Sequence, residues 1–421
     1  MATTCIIGAG TAGLAMAREL QDRGEEYVVL ERRPDVGGLW NYEDTTAEAE
    51  LWDSSNYCLS GSAVRDGVTL DAAGARPLYR DLFTNLPKET MAFADFQFPD
   101  EVPEFPQMRR QHFLTYIQQF ARERVPSLAQ RLEVSTVVRS VRWDDHGRAW
   151  EVASAPASAA LSVAPRLRSF ANIVVASGHH AKPIMPDLTG QAGFPGRVMH
   201  SCTFDSAEAF IGQRVLVVGG SVSAGQVAEI LQRAGTCADV GISTRVATAV
   251  AYRALTSGAI AAAKRSGVQV HKELAELHND GSVQFVDGPP LAAVDTIIAA
   301  TGYYYSFPFL NTSNMDLLEE DGFNVQHLYK GLFYTRNPSL SFLGLHNTLM
   351  GPAQFFEHQA RAVAAVIQGR TSRPLPSEAE MEAELAAEKA IRPVCQAYHL
   401  QPIYSSIYSI DSNQKPPPLQ P

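Results

Sequence analysis

Two glycine clusters, Gly8-Ala9-Gly10-Thr11-Ala12-Gly13 and Gly219-Gly220-Ser221-Val222-Ser223-Ala224, constrain this chain more than any other feature. Each follows an apolar run, around Thr4 to Ile7 and Val215 to Val218, and each opens a stretch with helical spacing. A strand, a glycine turn and a helix in that order form a pyrophosphate cradle. The turn lets backbone approach phosphate, and the helix start offers unpaired amides at the positive end of its dipole. One cluster predicts one nucleotide; two, a domain's length apart, predict two. The expectation is an α/β chain of two Rossmann-like dinucleotide-binding domains, the smaller inserted in the larger. A chain with two such nucleotides is expected to pass electrons between them.

The length of 421 residues suffices for two full cores. A net charge of -10 leaves no basic field to attract a nucleic acid backbone. Cys5, Cys58, Cys202, Cys237 and Cys395 are scattered, with no CxxC spacing. They read as free thiols of a reducing, cytoplasmic setting, without a dithiol centre or zinc cage. No run reaches the roughly 18 apolar residues of a membrane span. The segment from Cys5 to Ala17 lacks the basic leader of a signal peptide, and Ser405 to Pro421 reads as a loose polar tail. The adjacent His179 and His180 face opposite ways on an extended chain and have no accompanying carboxylate motif, so no metal is expected.

Along the chain, Thr4-Cys5-Ile6-Ile7 and Tyr27-Val28-Val29-Leu30 read as strands flanking a helix that carries Leu14, Ala15 and Leu20. The stretch after Trp40 reads as a long irregular segment. Phe113, Tyr116, Ile117 and Phe120 fall on one face of a helix from Gln111 to Arg124. Leu132 to Trp143 alternates like a strand, Ala153 to Pro165 reads as a loop, and Phe170 to Ala176 is apolar again. Arg214 begins the second unit, with further strands at Asp239 to Ser243 and Thr296 to Ala300. A last helix is expected from about Phe355 to Gln368.

The residues around each cluster indicate what it holds. Gly8 permits the turn, Gly10 the approach of phosphate, and Gly13 close packing of helix on strand. Thr11 and Ala12 supply helix-start amides. Glu31, roughly 20 residues on, can accept both hydroxyls of an adenosine ribose and repels a 2'-phosphate. The first cluster should therefore hold FAD or NAD. In the second, Ser221 stands at the middle glycine position, Ser223 opens the helix, and Ala224 takes the third position. The strand after it ends in Thr244-Arg245 instead of an acid. A guanidinium there grips a 2'-phosphate with a fork of donors, so NADPH is the expected ligand.

Phe194-Pro195-Gly196 followed by His200 and Phe204, an FxGxxxHxxxF spacing, resembles the fingerprint of the class B flavin-dependent monooxygenases. Gly37-Gly38-Leu39-Trp40 resembles their GGxW segment, Thr301-Gly302-Tyr303 their late TGY motif, and Thr84-Asn85-Leu86-Pro87-Lys88 the segment with their active-site asparagine. The matches run from Ile6 to about Ile367, and are closest to the N- and S-oxygenating members, within these to soluble fungal and plant forms. The resemblance implies FAD in the first cluster, NADPH in the second, and dioxygen and a small molecule as partners, with no nucleic acid or membrane. It implies transfer of one oxygen atom from a flavin hydroperoxide to an amine nitrogen or a sulfur. It implies an FAD domain over 1–178, an NADP domain over 179–302, and completion of the first by 303–421. The oligomeric state stays open, a homo-oligomer included.

Within that resemblance Asn85 is the expected catalytic residue, since an amide donates and accepts without titrating. The plain alternative is that Asn85 caps the turn before Pro87. Cofactor contacts are expected from Arg32, Gly38, Leu39, Trp40, a backbone group of Val138, Gly178, Thr301 and Gly302, beside the residues of the two clusters. Trp40 serves ordinary core packing equally well. His200 and Phe194 are expected at the junction of the domains, with His200 not a general base, because a soft nucleophile needs none. Ser221 departs from the pattern, as does Ser177, which stands where a threonine often precedes the glycine. Phe204 replaces the Trp of Baeyer–Villiger oxygenases, although Asp205 would fit them, and a Phe-Pro-Gly segment after Trp40 is missing. Oxidation of a ketone is therefore the lesser reading. A disulfide or quinone reductase would want a CxxC, and a sensor or scaffold without oxygen chemistry would not need Asn85.

Overall fold

In a computed structural model of the chain, residues 3–42, 64–65, 68–69, 77–159, 162–180, 182–245, 250–319, 322–345, 351–371 and 373–391 are described. They form two compact units, one of Met1–Asn41, Leu86–His179 and Tyr305–Pro421, the other of Tyr42–Asn85 and His180–Tyr304.

The first unit is built on a seven-stranded sheet. Thr4–Ile7 is an interior strand, parallel to Tyr27–Leu30 on one side and to the central strand Asn172–Val175 on the other. All three strands are apolar and almost wholly buried, as a parallel sheet covered on both faces demands. Leu132–Glu133 extends the sheet on the first side, and Leu340–Phe342 on the second, followed by antiparallel Phe333–Tyr334 and Leu328–Tyr329. The helix Thr11–Asp22 packs with Pro352–Ile367, and Ala15, Ala17, Ala360, Ala362 and Ala364 belong to the core that both helices line. Phe113, Tyr116, Ile117 and Phe120 of the helix Arg110–Arg124 complete that core.

A three-stranded antiparallel sheet joins Thr136–Asp144, Ala149–Pro156 and Arg166–Phe170. Ala153 to Pro156, expected in a loop, belongs to its middle strand. Small residues there pair with 136–140 and bury Ala153 and Ala155, so pairing on both sides overrides a loop-like composition. Pro352–Ile367 is not the last helix either; Glu378–Ile391 follows, a run of Glu and Ala with high intrinsic helix propensity.

The second unit has a five-stranded, wholly parallel sheet. Arg214–Val218 is central, between Asp239–Ser243 and Thr296–Ala299, with Gln269–His271 and Arg197–His200 at the edges. The helix Val222–Ala234 crosses Val250–Arg265 so closely that a Cβ on Gly225 would lie 2.5 Å from the Ala259 carbonyl carbon. The segment Tyr42–Asn85, placed on sequence alone in the first domain, groups with this unit. Its described part explains why: the Tyr79 hydroxyl donates to Gln226 Oε1, and the Arg80 guanidinium to Asp205 Oδ2. Cys58, Cys395 and the tail from Ser405 lie outside the described residues. Among the described residues no helix is long and apolar enough to cross a membrane, and no group of three metal-ligating side chains occurs.

Candidate functional site

In the first unit the glycine turn rests on the neighbouring strand. Gly8 has φ +107°, and a Cβ there would sit 2.5 Å from the Ala176 carbonyl oxygen. A Cβ on Gly13 would sit 2.0 Å from the Gly8 carbonyl oxygen, which is the close helix packing expected of the third glycine. Gly10 is different. Its backbone is ordinary and extended (φ -76°, ψ -173°), and it is the N-cap of a helix that no described side chain caps. The helix-start amides of Thr11 and Ala12 thus keep the donors that an anion takes up.

Two further groups close this cradle. The Glu31 carboxylate is buried at the end of its strand; Oε2 accepts from the Ala9 amide at 2.6 Å and Oε1 from the Arg33 amide at 2.8 Å. A carboxylate has about four acceptor sites, so two remain for ribose hydroxyls. The Gly37 amide donates to the Ala9 carbonyl at 3.0 Å, and a Cβ on Gly38 would lie 2.8 Å from the Gly10 Cα. The GGxW segment is therefore part of the cradle wall. Leu39 and Trp40 lie in its short helical turn Gly38–Trp40, and the Trp40 ring packs 4.4 Å from Phe113, on the core side. Arg32 is exposed beside Glu31. Val138 sits at a bulge in the edge strand Thr136–Asp144, its side chain against the core. Gly178, with φ +77° and open space around it, follows the strand on which the glycine turn rests.

The second unit repeats the plan. A Cβ on Gly219 would meet the Ala300 carbonyl oxygen at 2.4 Å, and Ala224 is fully buried where the third glycine would be. Ser221 is the N-cap, extended (φ -112°, ψ -171°) and without a side-chain cap bond, which is the Gly10 conformation. Ser221 is thus compatible with the turn, and Ser223 is exposed at the first turn of the helix. The repetition exposes a signal that motif matching missed: Ala176-Ser177-Gly178 and Ala300-Thr301-Gly302 are equivalent, each ending the strand whose alanine carbonyl underlies a cradle. Gly225, one residue past the second cluster, was also missed; only the packing of two helices reveals why it must be small. Thr244 lies against Gly220, and Arg245 is 82% exposed, paired with Glu273 Oε1 at 2.8 Å.

His200 joins two of the motifs. Its Nδ1 accepts from the Cys202 amide at 3.1 Å, so Nε2 carries the proton and donates to the Gly302 carbonyl at 3.1 Å. Burial holds its pKa down to about 4, so the ring is neutral. It also meets the Tyr303 ring edge-on at 5.1 Å. The fingerprint histidine is a brace within the second unit and is not poised to take a proton. Phe194 is buried in this unit's core among Leu188, Val198 and Ile297. Thr301 donates to the Ile184 carbonyl, and the Gly302 carbonyl accepts a second bond from the Ile184 amide.

Asn85 is exposed, at the end of a segment whose Leu82 and Thr84 are buried. The next helix, Lys88–Met91, has Pro87 as its N-cap and no side-chain cap bond, so Asn85 is not its cap.

The chain matches the flavin-binding monooxygenase-like family over residues 69–263 and 259–407. It belongs to that family. Residues 6–62 also match an NAD(P)-binding Rossmann-like domain. The chain is 33% identical over 396 residues to flavin-containing monooxygenase FMO GS-OX2 of Arabidopsis thaliana, covering 91% of this chain and 77% of the relative. Among solved structures it is similar to S-allyl-L-cysteine S-oxygenase from Allium sativum, with TM-score 0.74 and 29% identity over 97% of this chain and 84% of the other. It is also similar to Tmm from Pelagibacter sp. strain HTCC7211, with TM-score 0.71 and 26% identity over 93% and 81%. The likeness to cyclohexanone monooxygenase, at 15% identity and TM-score 0.57, is one of fold. The protein is a flavin monooxygenase that uses FAD, NADPH and dioxygen on a small molecule. Both cradles fit such nucleotides, with uncapped helix starts for pyrophosphate and an acid at the ribose position of the first only.

Proposed function

We propose that this chain oxygenates a soft nucleophile, sulfur in the first place and amine nitrogen in the second. The observation that carries the reading is the likeness to the Allium sativum S-oxygenase over 97% of this chain. When bound, NADPH reduces FAD by two electrons, and the reduced flavin activates dioxygen, giving one atom to the substrate and one to water.

The chain's own residues have plainer tasks. In the first unit the amides at Gly10, Thr11, Ala12 and Gly13 hold the FAD pyrophosphate, Glu31 takes the ribose hydroxyls, and Val138 offers backbone to the adenine. Gly8 and Gly38, with Leu39, shape the turn, Arg32 and Gly178 border it, and Trp40 keeps Arg110–Arg124 packed behind it. In the second unit Gly219, Ser221, Ser223 and Ala224 receive the NADPH pyrophosphate, Thr244 and Arg245 its 2'-phosphate, and Thr301 and Gly302 close the strand end. The corresponding division is an FAD domain interrupted by an NADP domain near 179–302. Asn85 holds activated oxygen by hydrogen bonds without giving it a proton. No general base is required, which agrees with a neutral, fully bonded His200. Cytoplasmic residence fits the scattered cysteines.

The test is turnover with NADPH, oxygen and a panel of thioethers, amines and cyclic ketones. Sulfoxide formation, with less N-oxide, is expected. Ester from ketone would favour Baeyer–Villiger chemistry, and NADPH-independent inertness toward the whole panel would favour a sensor or scaffold. Asn85→Ala is expected to retain FAD but to divert most reducing equivalents to hydrogen peroxide. An unchanged ratio of product to NADPH consumed would remove Asn85 from the mechanism.

A further inference from the structure

The segment from Leu78 to Asn85 has little regular structure, yet Leu78, Tyr79, Leu82 and Thr84 are buried. An irregular backbone must be held by side chains if its end is to occupy one place. Part of the hold comes from the fingerprint. The Phe204 ring meets Tyr79 edge-on at 5.3 Å, the Arg80 amide donates to the Asp205 carbonyl at 3.0 Å, and the Asp205 carboxylate accepts from Arg80 and Tyr42.

A second part comes from one carboxamide. Gln226 lies in the second turn of Val222–Ala234, the helix that opens at the second glycine cluster, and is 5% exposed. Its Oε1 accepts from the Tyr79 hydroxyl at 2.8 Å, and its Nε2 donates to the Phe83 carbonyl at 2.9 Å. Both ends of the amide are therefore used, on residues six and two positions before Asn85. Burial pushes the Tyr79 hydroxyl pKa up, so it remains a donor. Gln is suited to this place because a neutral side chain that accepts and donates at once can be buried without a charge.

We propose that Gln226 is the positioning residue for Asn85: it fastens the 79–83 segment to the second-cluster helix and so fixes where the Asn85 amide stands. This rests on the assignment of oxygen handling to Asn85 above. It also gives the residue position a second meaning. Occupancy of the second cluster and the placement of Asn85 share one element, so a shift of the helix is carried toward Asn85 through Gln226.

The test compares wild type, Asn85→Ala, Gln226→Leu, Gln226→Glu and the double variant Asn85→Ala with Gln226→Leu. Two quantities are read: hydrogen peroxide formed per NADPH oxidised, and amide hydrogen exchange over 78–86 in protein without nucleotide. Gln226→Leu should raise the peroxide share several-fold and speed exchange over 78–86. The double variant should leak no more than Asn85→Ala, because one residue acts through the other. Gln226→Glu supplies a signature that general loosening does not. Its carboxyl, buried beside Glu229 (itself paired with Arg233) and Tyr79, would have a raised pKa. Ionised, it cannot donate to the Phe83 carbonyl; protonated, it can. Coupling in Gln226→Glu should therefore recover as pH falls, with no such recovery in wild type.

Wild-type coupling in Gln226→Leu, while Asn85→Ala leaks, overturns the inference and leaves Asn85 in its role. A double variant whose leak exceeds that of Asn85→Ala also overturns it. Wild-type coupling in Asn85→Ala removes the reading of Asn85 and this inference together. Should Gln226→Leu not fold, Gln226→Glu decides alone, and a pH profile parallel to wild type overturns the inference.

Discussion

At the scale of single residues, Arg245 and His200 show how differently two motif positions behave. Arg245 is exposed and, among the described residues, pairs with the surface carboxylate of Glu273, a contact worth about 0–1 kcal/mol. Such a pair is readily exchanged for a phosphate. Arg245→Ala should raise the Michaelis constant for NADPH about tenfold and barely change that for NADH, the size of one charge-assisted hydrogen bond discounted for exposure. Equal losses for both nucleotides would show that the guanidinium does not read the 2'-phosphate. His200 is the reverse case, buried and bonded at both nitrogens. Its folded pKa of about 4 lies below the ordinary value of about 6.5, so the unfolded chain binds the extra proton. Its contribution is complete above pH about 6.5 and is lost as pH falls toward about 4. Melting temperatures of wild type should therefore decline over that window more steeply than those of His200→Gln, which has no titrating group there. Matching slopes would show that the ring is not a buried neutral brace.

Among the elements, legibility followed locality. Thr4–Ile7, Tyr27–Leu30 and Asp239–Ser243 were readable because a buried parallel strand is a short apolar run bounded by turn residues. Ala149–Pro156 was not, because its alanines and serines owe their strand conformation to neighbours on both sides. The tight turn at Gly8, the close packing at Gly13 and the strand-end place of Glu31 were legible through spacing alone. The alanine carbonyls beneath the two turns, and Gln226, were not, since nothing local marks residues that matter through partners far along the chain. Gly225 belongs to this second class. Gly225→Val would force Val222–Ala234 away from Val250–Arg265, an overpacking cost of about 1–3 kcal/mol. The expected result is a lower melting temperature and faster exchange over 222–234. An unaltered melt would mean that the two helices part without loss.

For the whole molecule, the assignment of one nucleotide to each unit makes a spatially resolved prediction. A ligand that binds only the folded state stabilises it by about 2.7 kcal/mol at a hundred times its dissociation constant, and the protection is greatest where it binds. FAD added to apoprotein should slow amide exchange over 8–14 and 37–40. NADP+ should slow it over 219–225 and near 244–245. Protection by FAD confined to the second set would reverse the assignment. The architecture was legible at this scale because duplication is visible as two spaced clusters. The grouping of Tyr79 and Arg80 with the second unit was not, because it depends on contacts with Gln226 and Asp205, more than a hundred residues away.

The carbonyls of Ala176 and Ala300 make the floor beneath Gly8 and Gly219 equally unyielding, whereas Gly10 and Ser221 share a relaxed backbone. Mutational drift in such a loop is therefore channelled. A first glycine that acquires a side chain collides with its own scaffold before any cofactor arrives, but the middle place is vetoed only by what comes to dock there. A serine in the second loop thus bears on how closely a visiting pyrophosphate can approach, and directed evolution of dinucleotide affinity, as distinct from the choice between coenzymes, has its freest foothold at that position.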